Sequence, residues 1–152
     1  SLVGSEMCIR DSLNALERNE PGSETSLAAA LEKSFPLLKR KGMLVVLSDF
    51  FDDPAAIFTA LSPYLHRGFR IHLFHLLTPA ELDLENRGLS TFLDLEDGRR
   101  LIVHPGNLRE RYKTAIDDHI SGLRQLANRR GVDYLLSSTT THYFKLFDRL
   151  TQ

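Results

Sequence analysis

The chain has 152 residues, with hydrophobic residues at 42%, charged residues at 26% and a formal net charge of −1. That balance suits one domain with a buried core and excludes a disordered polar chain. The near-neutral charge gives no electrostatic ground for nucleic acid or an anionic membrane surface as a partner, and no apolar run reaches the ~18–20 residues that cross a bilayer.

Residues 1–12 (SLVGSEMCIRDS) show no useful periodicity, lack the pattern of a signal peptide and resemble a translated sequencing-adapter read-through. They are treated as a non-native prefix, and the domain is read over 13–152. The single cysteine, Cys8, falls inside that prefix and cannot form an internal disulfide. On this reading the chain is the carboxyl-terminal portion of a longer protein.

After the breaker cluster Asn19–Ser23, Thr25 or Ser26 can cap a helix running to about Arg40. Leu27, Leu31, Phe35 and Leu38 form its apolar stripe, and Gly42 ends it. The basic run Lys39–Lys41 reads as a dipole-complementing helix terminus rather than a binding patch. Met43–Leu47 is a continuous apolar run of strand length, which predicts a parallel strand buried on both faces. It stops at Ser48-Asp49. Asp52 or Asp53, followed by Pro54, opens the next helix, whose buried face carries Ile57, Leu61 and Leu65.

Phe69–Leu77 is the second strand, and a short helix follows at Pro79–Leu82. Residues 89–95 and 100–103 are extended segments around an Asp97-Gly98 turn, an inserted β-hairpin. Pro105 opens a long helix to about Arg130, with Leu108, Tyr112, Ala115, Ile116, His119, Ile120, Leu123 and Leu126 at helical spacing. Val132–Leu136 is the third strand, Ser137–Thr141 a hydroxyl-rich loop, and a last helix near 142–150 places Phe144 and Phe147 inward. The order predicts an α/β domain of about three adjacent parallel strands flanked by helices.

Ligands of open α/β sheets bind at the carboxyl ends of the strands. Here those ends are Ser48-Asp49, Thr78 and Ser137–Thr141. Asp49 suits a metal ligand, a catalytic carboxylate or a hydrogen-bond acceptor, and equally a cap for the following helix. Asp52 and Asp53 read as caps, and the Ser/Thr loop reads as satisfying its own backbone. His72 and His75 differ by an odd number, so on one strand they face opposite sides and cannot share a metal. His119 reads as a satisfied border residue of the long helix. There is no zinc-ligand spacing, nucleophile elbow or Gly-rich phosphate loop.

The stretches LVVLSDFFDDP (44–54), GFRIHLFHLL (68–77), TPAELDL (78–84), FLDLEDG (92–98) and GVDYLL (131–136) resemble the carboxyl-terminal part of a bacterial family. It is called domain of unknown function 58 (DUF58) and is related to von Willebrand factor type A domains. The resemblance covers about Leu13 to Gln152.

It implies a partial Rossmann-like sheet with a metal-ion-dependent adhesion site on its carboxyl rim, in which Thr25 matches the threonine position and Asp49 the aspartate. The Asp-x-Ser-x-Ser motif that completes such a site has no counterpart here. Two oxygen ligands would hold Mg²⁺ weakly, so the chain itself is expected to carry no cofactor, Mg²⁺ belonging to a full-length protein. The resemblance further implies a non-catalytic interaction or scaffold module in the cytoplasm. Its partner would be a MoxR-type AAA+ ATPase in assembly or maturation, and any membrane association would come through upstream segments. It also implies that strand 43–48 lacks a neighbour, an invitation to self-association. Two other readings stay open: a metal-assisted hydrolase or phosphoryl-transfer enzyme using Asp49, and a truncated gene fragment without independent function.

Overall fold

The computed structural model describes residues 26–83, 90–93, 100–103, 105–142 and 144–148. Its chain order is helix α1 (Leu27–Ser34), a 3₁₀ turn (Phe35–Leu37), β1 (Met43–Ser48), α2 (Pro54–His66), β2 (Arg70–Leu77) and α3 (Pro79–Leu82). Then follow β3 (Ser90–Leu93), β4 (Arg100–Val103), α4 (Pro105–Arg130), β5 (Asp133–Ser138) and α5 (Phe144–Phe147). None of the described helices is long and apolar enough to cross a membrane.

The expected α/β architecture is present. β1, β2 and β5 form one parallel sheet in that order. The register runs from Met43↔Arg70 to Ser48↔His75 and from His72↔Asp133 to Leu77↔Ser138. β3 and β4 pair separately as the antiparallel hairpin expected from the Asp-Gly turn, whose tip lies outside the described residues.

Local chemistry sets the element ends. Asp53 caps α2 through the backbone N–H groups of Ala55 and Ala56, and Pro54 occupies the first turn, where no N–H is needed. Thr78 and Glu81 form a reciprocal capping box at α3. Gly68 and Gly131 follow α2 and α4 with φ of 84° and 66°, a conformation that costs glycine little.

The main core lies on one face of the sheet. Val46 of β1 and Ile71 and Leu73 of β2 pack with Ile57, Phe58 and Leu61 of α2, Leu31 of α1, and Leu123 and Ala127 of α4. A smaller cluster joins Leu77 to Ile116 and Ile120 of α4 near the carboxyl ends. Strands joined in sequential order by right-handed crossovers put their helices on one side. Two long-range bonds fasten the layer. The buried Tyr64 hydroxyl donates to the Leu31 carbonyl at 2.6 Å, and the Arg67 guanidinium donates to the Leu38 carbonyl at 2.6 Å while lying 3.7 Å over the Phe35 ring.

Five expectations are corrected. The first helix ends at Ser34, not near Arg40, because Pro36 has no N–H to continue the ladder and the chain tightens into a 3₁₀ turn. Lys39–Lys41 therefore lie beyond the helix, exposed to solvent. β1 is not buried on both faces: Leu44 and Val46 face the core, whereas Met43, Val45 and Leu47 are 48%, 38% and 62% exposed. Among the described residues β1 is an edge strand, and the helices cover only its even-numbered side. Ala115 is exposed, since the buried stripe of α4 runs through Ile116, Ile120, Leu123 and Ala127. Phe144 is also exposed rather than inward, stacked on the His142 ring at 5.2 Å; the Phe147 side chain lies outside the described residues.

Candidate functional site

The carboxyl rim is built around a bend after β1. Phe50 has φ of 51°, an outlier for a bulky residue, yet its side chain is 1% exposed. Such a conformation costs of order 1–3 kcal/mol and persists only where surrounding contacts over-determine it. Those contacts are present. The Phe50 ring meets His75 edge-on at 5.4 Å, its N–H donates to the Ser48 hydroxyl at 3.0 Å, and its carbonyl lies 2.8 Å from His119 Nε2 on α4. The bend turns Asp49 and Phe51 out to solvent, and Phe51 stacks on the His119 ring at 6.2 Å.

Beneath the bend lies a polar knot inside an apolar layer. His75 is fully buried, and its Nδ1 lies 2.6 Å from the Tyr134 hydroxyl on β5. Among the described residues its Nε2 makes no hydrogen bond of acceptable geometry, although the Asp49 backbone lies close enough to favour the protonated ring. Burial lowers the His75 pKa to about 4, with the neighbouring His119 acting in the same direction; the Asp49 backbone carbonyl and carboxylate and Glu81 oppose it. Burial also raises Tyr134 to about 12. His75 is thus a neutral imidazole, and Tyr134 a neutral phenol, across the ordinary pH range.

The aspartates after β1 divide their roles. Asp53 caps α2 as expected. Asp52 instead accepts from the Leu27 N–H, which joins the first turn of α1 to the rim. Among the described residues Asp49 makes long contacts, to the Ser48 hydroxyl at 3.4 Å and the Phe51 N–H at 3.5 Å. Thr25, the expected companion of Asp49 in a metal site, lies outside the described residues. Among the described residues no group of three His, Cys, Asp or Glu side chains is placed to hold a metal ion. Asp52 and Asp53 are both engaged by backbone N–H groups.

The other rim residues are satisfied locally. The Thr78 hydroxyl donates to the Glu81 carboxylate at 2.8 Å within the capping box. The Ser138 and Thr140 hydroxyls lie 2.9 Å apart, and the Thr140 N–H donates to Ser138 Oγ. A shallow concavity of 370 Å³ opens beside this loop, lined by residues including Ser137, Thr141 and Lys145.

At the opposite, amino end of the sheet, a 220 Å³ pocket is lined by Arg70, His72, Phe74, Asp133 and Leu135 among others. Asp133 Oδ2 lies 3.3 Å from His72 Nδ1 and 3.6 Å from Arg70 Nε. His72 and His75 do face opposite sides, each with its own partner on β5. Sequence reasoning passed over the His75–Tyr134–His119 knot. The available signal was parity: His75 shares the side of β2 that carries Ile71, Leu73 and Leu77, while His119 sits one position from the Ile120 stripe of α4.

Like β5 at the other side of the sheet, β1 has an outer edge that no described strand pairs with. Among the described residues β1 pairs only with β2. Gly42's carbonyl accepts from the Arg70 N–H, which aims the even-numbered peptide groups at β2 and those of Met43, Val45 and Leu47 outward. These three residues also carry the exposed apolar side chains. No proline, bulge or inward charge protects the edge within 43–48.

Comparison with known proteins gives one match. The family model described as "Protein of unknown function DUF58" matches residues 4–122, well over half of the chain. No curated protein and no solved structure matches.

Proposed function

The chain belongs to the DUF58 family, and on that premise we propose that it works as a non-catalytic protein-interaction module whose docking element is the outer edge of β1. The carrying observation is the coincidence, on one short strand, of outward peptide groups with three exposed apolar side chains. Recognition by strand addition needs both: main-chain hydrogen bonds for affinity and alternate side chains for specificity. The rigid bend at Asp49–Phe51 borders the strand and supplies a charge and an aromatic ring at its carboxyl end.

The partner in this proposal is a MoxR-type AAA+ ATPase, and the role is scaffolding in assembly or maturation. The resemblance to von Willebrand factor type A domains, which usually mediate protein contacts, supports this choice. The proposal sets the interaction in the cytoplasm, where an ATP-driven partner works.

Binding of the whole chain to a purified MoxR-type ATPase, followed by biolayer interferometry, tests it. Val45→Pro removes an outward N–H that β2 does not use, a substitution edge strands tolerate. The variant is expected to lose at least about tenfold in affinity, equivalent to ~1.4 kcal/mol, with an unchanged circular dichroism spectrum. Undiminished binding by Val45→Pro sinks the reading.

A further inference from the structure

The fold sorts charge by pole. Segments 36–43, 66–70 and 129–133 lead into the three parallel strands, each up to its first residue. They hold seven lysines and arginines and one carboxylate, Asp133. Segments 48–53, 77–83 and 138–142 leave those strands, and they hold five carboxylates and no lysine or arginine. Strands that run parallel gather the like ends of their connections on one side. A net charge of −1 therefore conceals a basic pole at the amino ends of the sheet.

Helix dipoles account for part of it. Arg67 is the C-cap of α2, and Arg129 and Arg130 end α4, where cations are favoured. Lys39, Arg40 and Lys41 need another reason, because α1 stops at Ser34. All three are exposed, and among the described residues none forms an ion pair. Their loop is nevertheless held in place. The Arg67 guanidinium donates to the Phe35 carbonyl at 3.3 Å and to the Leu38 carbonyl at 2.6 Å. On the same turn Leu37 is 78% exposed, with Pro36 and Leu38 exposed beside it. A fixed apolar tip joined to a free basic run suits a surface that is anionic outside and apolar beneath.

We propose that this pole docks on an anionic lipid surface. Leu37 enters the boundary between headgroups and acyl chains, while Lys39, Arg40 and Lys41 meet the lipid phosphates. Each lysine or arginine held near such a surface strengthens binding about fivefold. A nucleic acid would meet the same charge, but its phosphate backbone buries no leucine. Base stacking needs an exposed ring, and the one phenylalanine, tyrosine or tryptophan of the basic segments, Phe69, is buried. The contact uses the loop at 36–41 rather than the edge of β1, so it stands or falls apart from the docking role of that edge.

Flotation of the whole chain with lipid vesicles tests this, using phosphatidylcholine alone and phosphatidylcholine mixed in equal parts with phosphatidylglycerol. The chain is expected on the mixed vesicles only, and less of it as salt rises. Lys39→Gln, Arg40→Gln and Lys41→Gln together should weaken partitioning about a hundredfold. Leu37→Ser should weaken it about tenfold at every salt concentration, because that contribution is apolar. These side chains are exposed, so the circular dichroism spectrum should not change. Arg111→Gln with Lys113→Gln removes two exposed cations of α4 outside the pole and should alter partitioning less than about twofold. A parent that stays in solution with mixed vesicles, equal partitioning onto neutral vesicles, or a Leu37→Ser variant that binds like the parent overturns the proposal. So does a triple variant that loses no more than the α4 pair, since the attraction then has no preferred face. Tighter retention of a DNA duplex than of mixed vesicles assigns the pole to nucleic acid and also overturns it.

Discussion

β1 and β2 read almost alike as sequence: MLVVLS and RIHLFHLL are both short runs dominated by apolar residues. Their environments differ sharply. β2 lies between two strands, and Ile71 through His75 are all buried. Among the described residues β1 has one neighbour and one covered face, and it alternates strictly between core and solvent over Leu44–Leu47. An apolar run therefore reports that a strand has something to bury, but not whether this chain supplies the cover. Position in the sheet decides that.

Substitution at matched leucines gives the largest test of the contrast. Leu73 is 1% exposed between β1 and β5, and Leu73→Ala should cost ~2–5 kcal/mol in urea unfolding. Leu47→Ala should change stability by no more than ~0.5 kcal/mol. Equal losses would mean that β1 is as buried as β2 in solution.

Acid probes the covered face next. His75 binds its proton near pH 4 when folded and near 6.5 when unfolded. Between those values the unfolded chain holds more protons, so stability falls as pH drops from 6.5 to 4, by about 3 kcal/mol in full. Above pH 6.5 this contribution is flat. Replacing the pair by His75→Leu with Tyr134→Phe should remove that slope; a slope that survives would place its source elsewhere. The smaller effect belongs to the bend that separates the two strands. Asp53→Ala removes the α2 cap and should lower stability by ~1 kcal/mol in urea unfolding.

Much of the architecture was legible because punctuation residues mark it. Asp53-Pro54, Thr78-Pro79 and Pro105 open helices where expected, and Gly68 and Gly131 close them. Three parallel adjacent strands followed from the order of elements. Pro36 was readable too, but the apolar stripe running through it obscured its effect. The exposure of β1 was harder to see, because a continuous run carries no sign of which parity faces the helices. The knot at His75 draws on β2, β5 and α4, and no local pattern joins residues 75, 119 and 134. Asp49 was located correctly at the strand end. The importance of its neighbour Phe50, whose backbone is held by α4, depends on a contact across 69 positions that periodicity cannot report.

The strand spacing has a consequence for folding. β1 and β2 are joined through α2 alone, across residues 49–69, whereas β2 meets β5 only after residues 78–132, which include a hairpin and the longest helix. Closing the shorter connection costs less chain entropy, so β1–α2–β2 is the natural nucleus and β5 docks late. Substitutions in β5 should then speed unfolding more than they slow folding. Until β5 arrives, the side of β2 that will pair with it stands bare, an apolar template for another chain. Refolding yield should therefore fall as protein concentration rises.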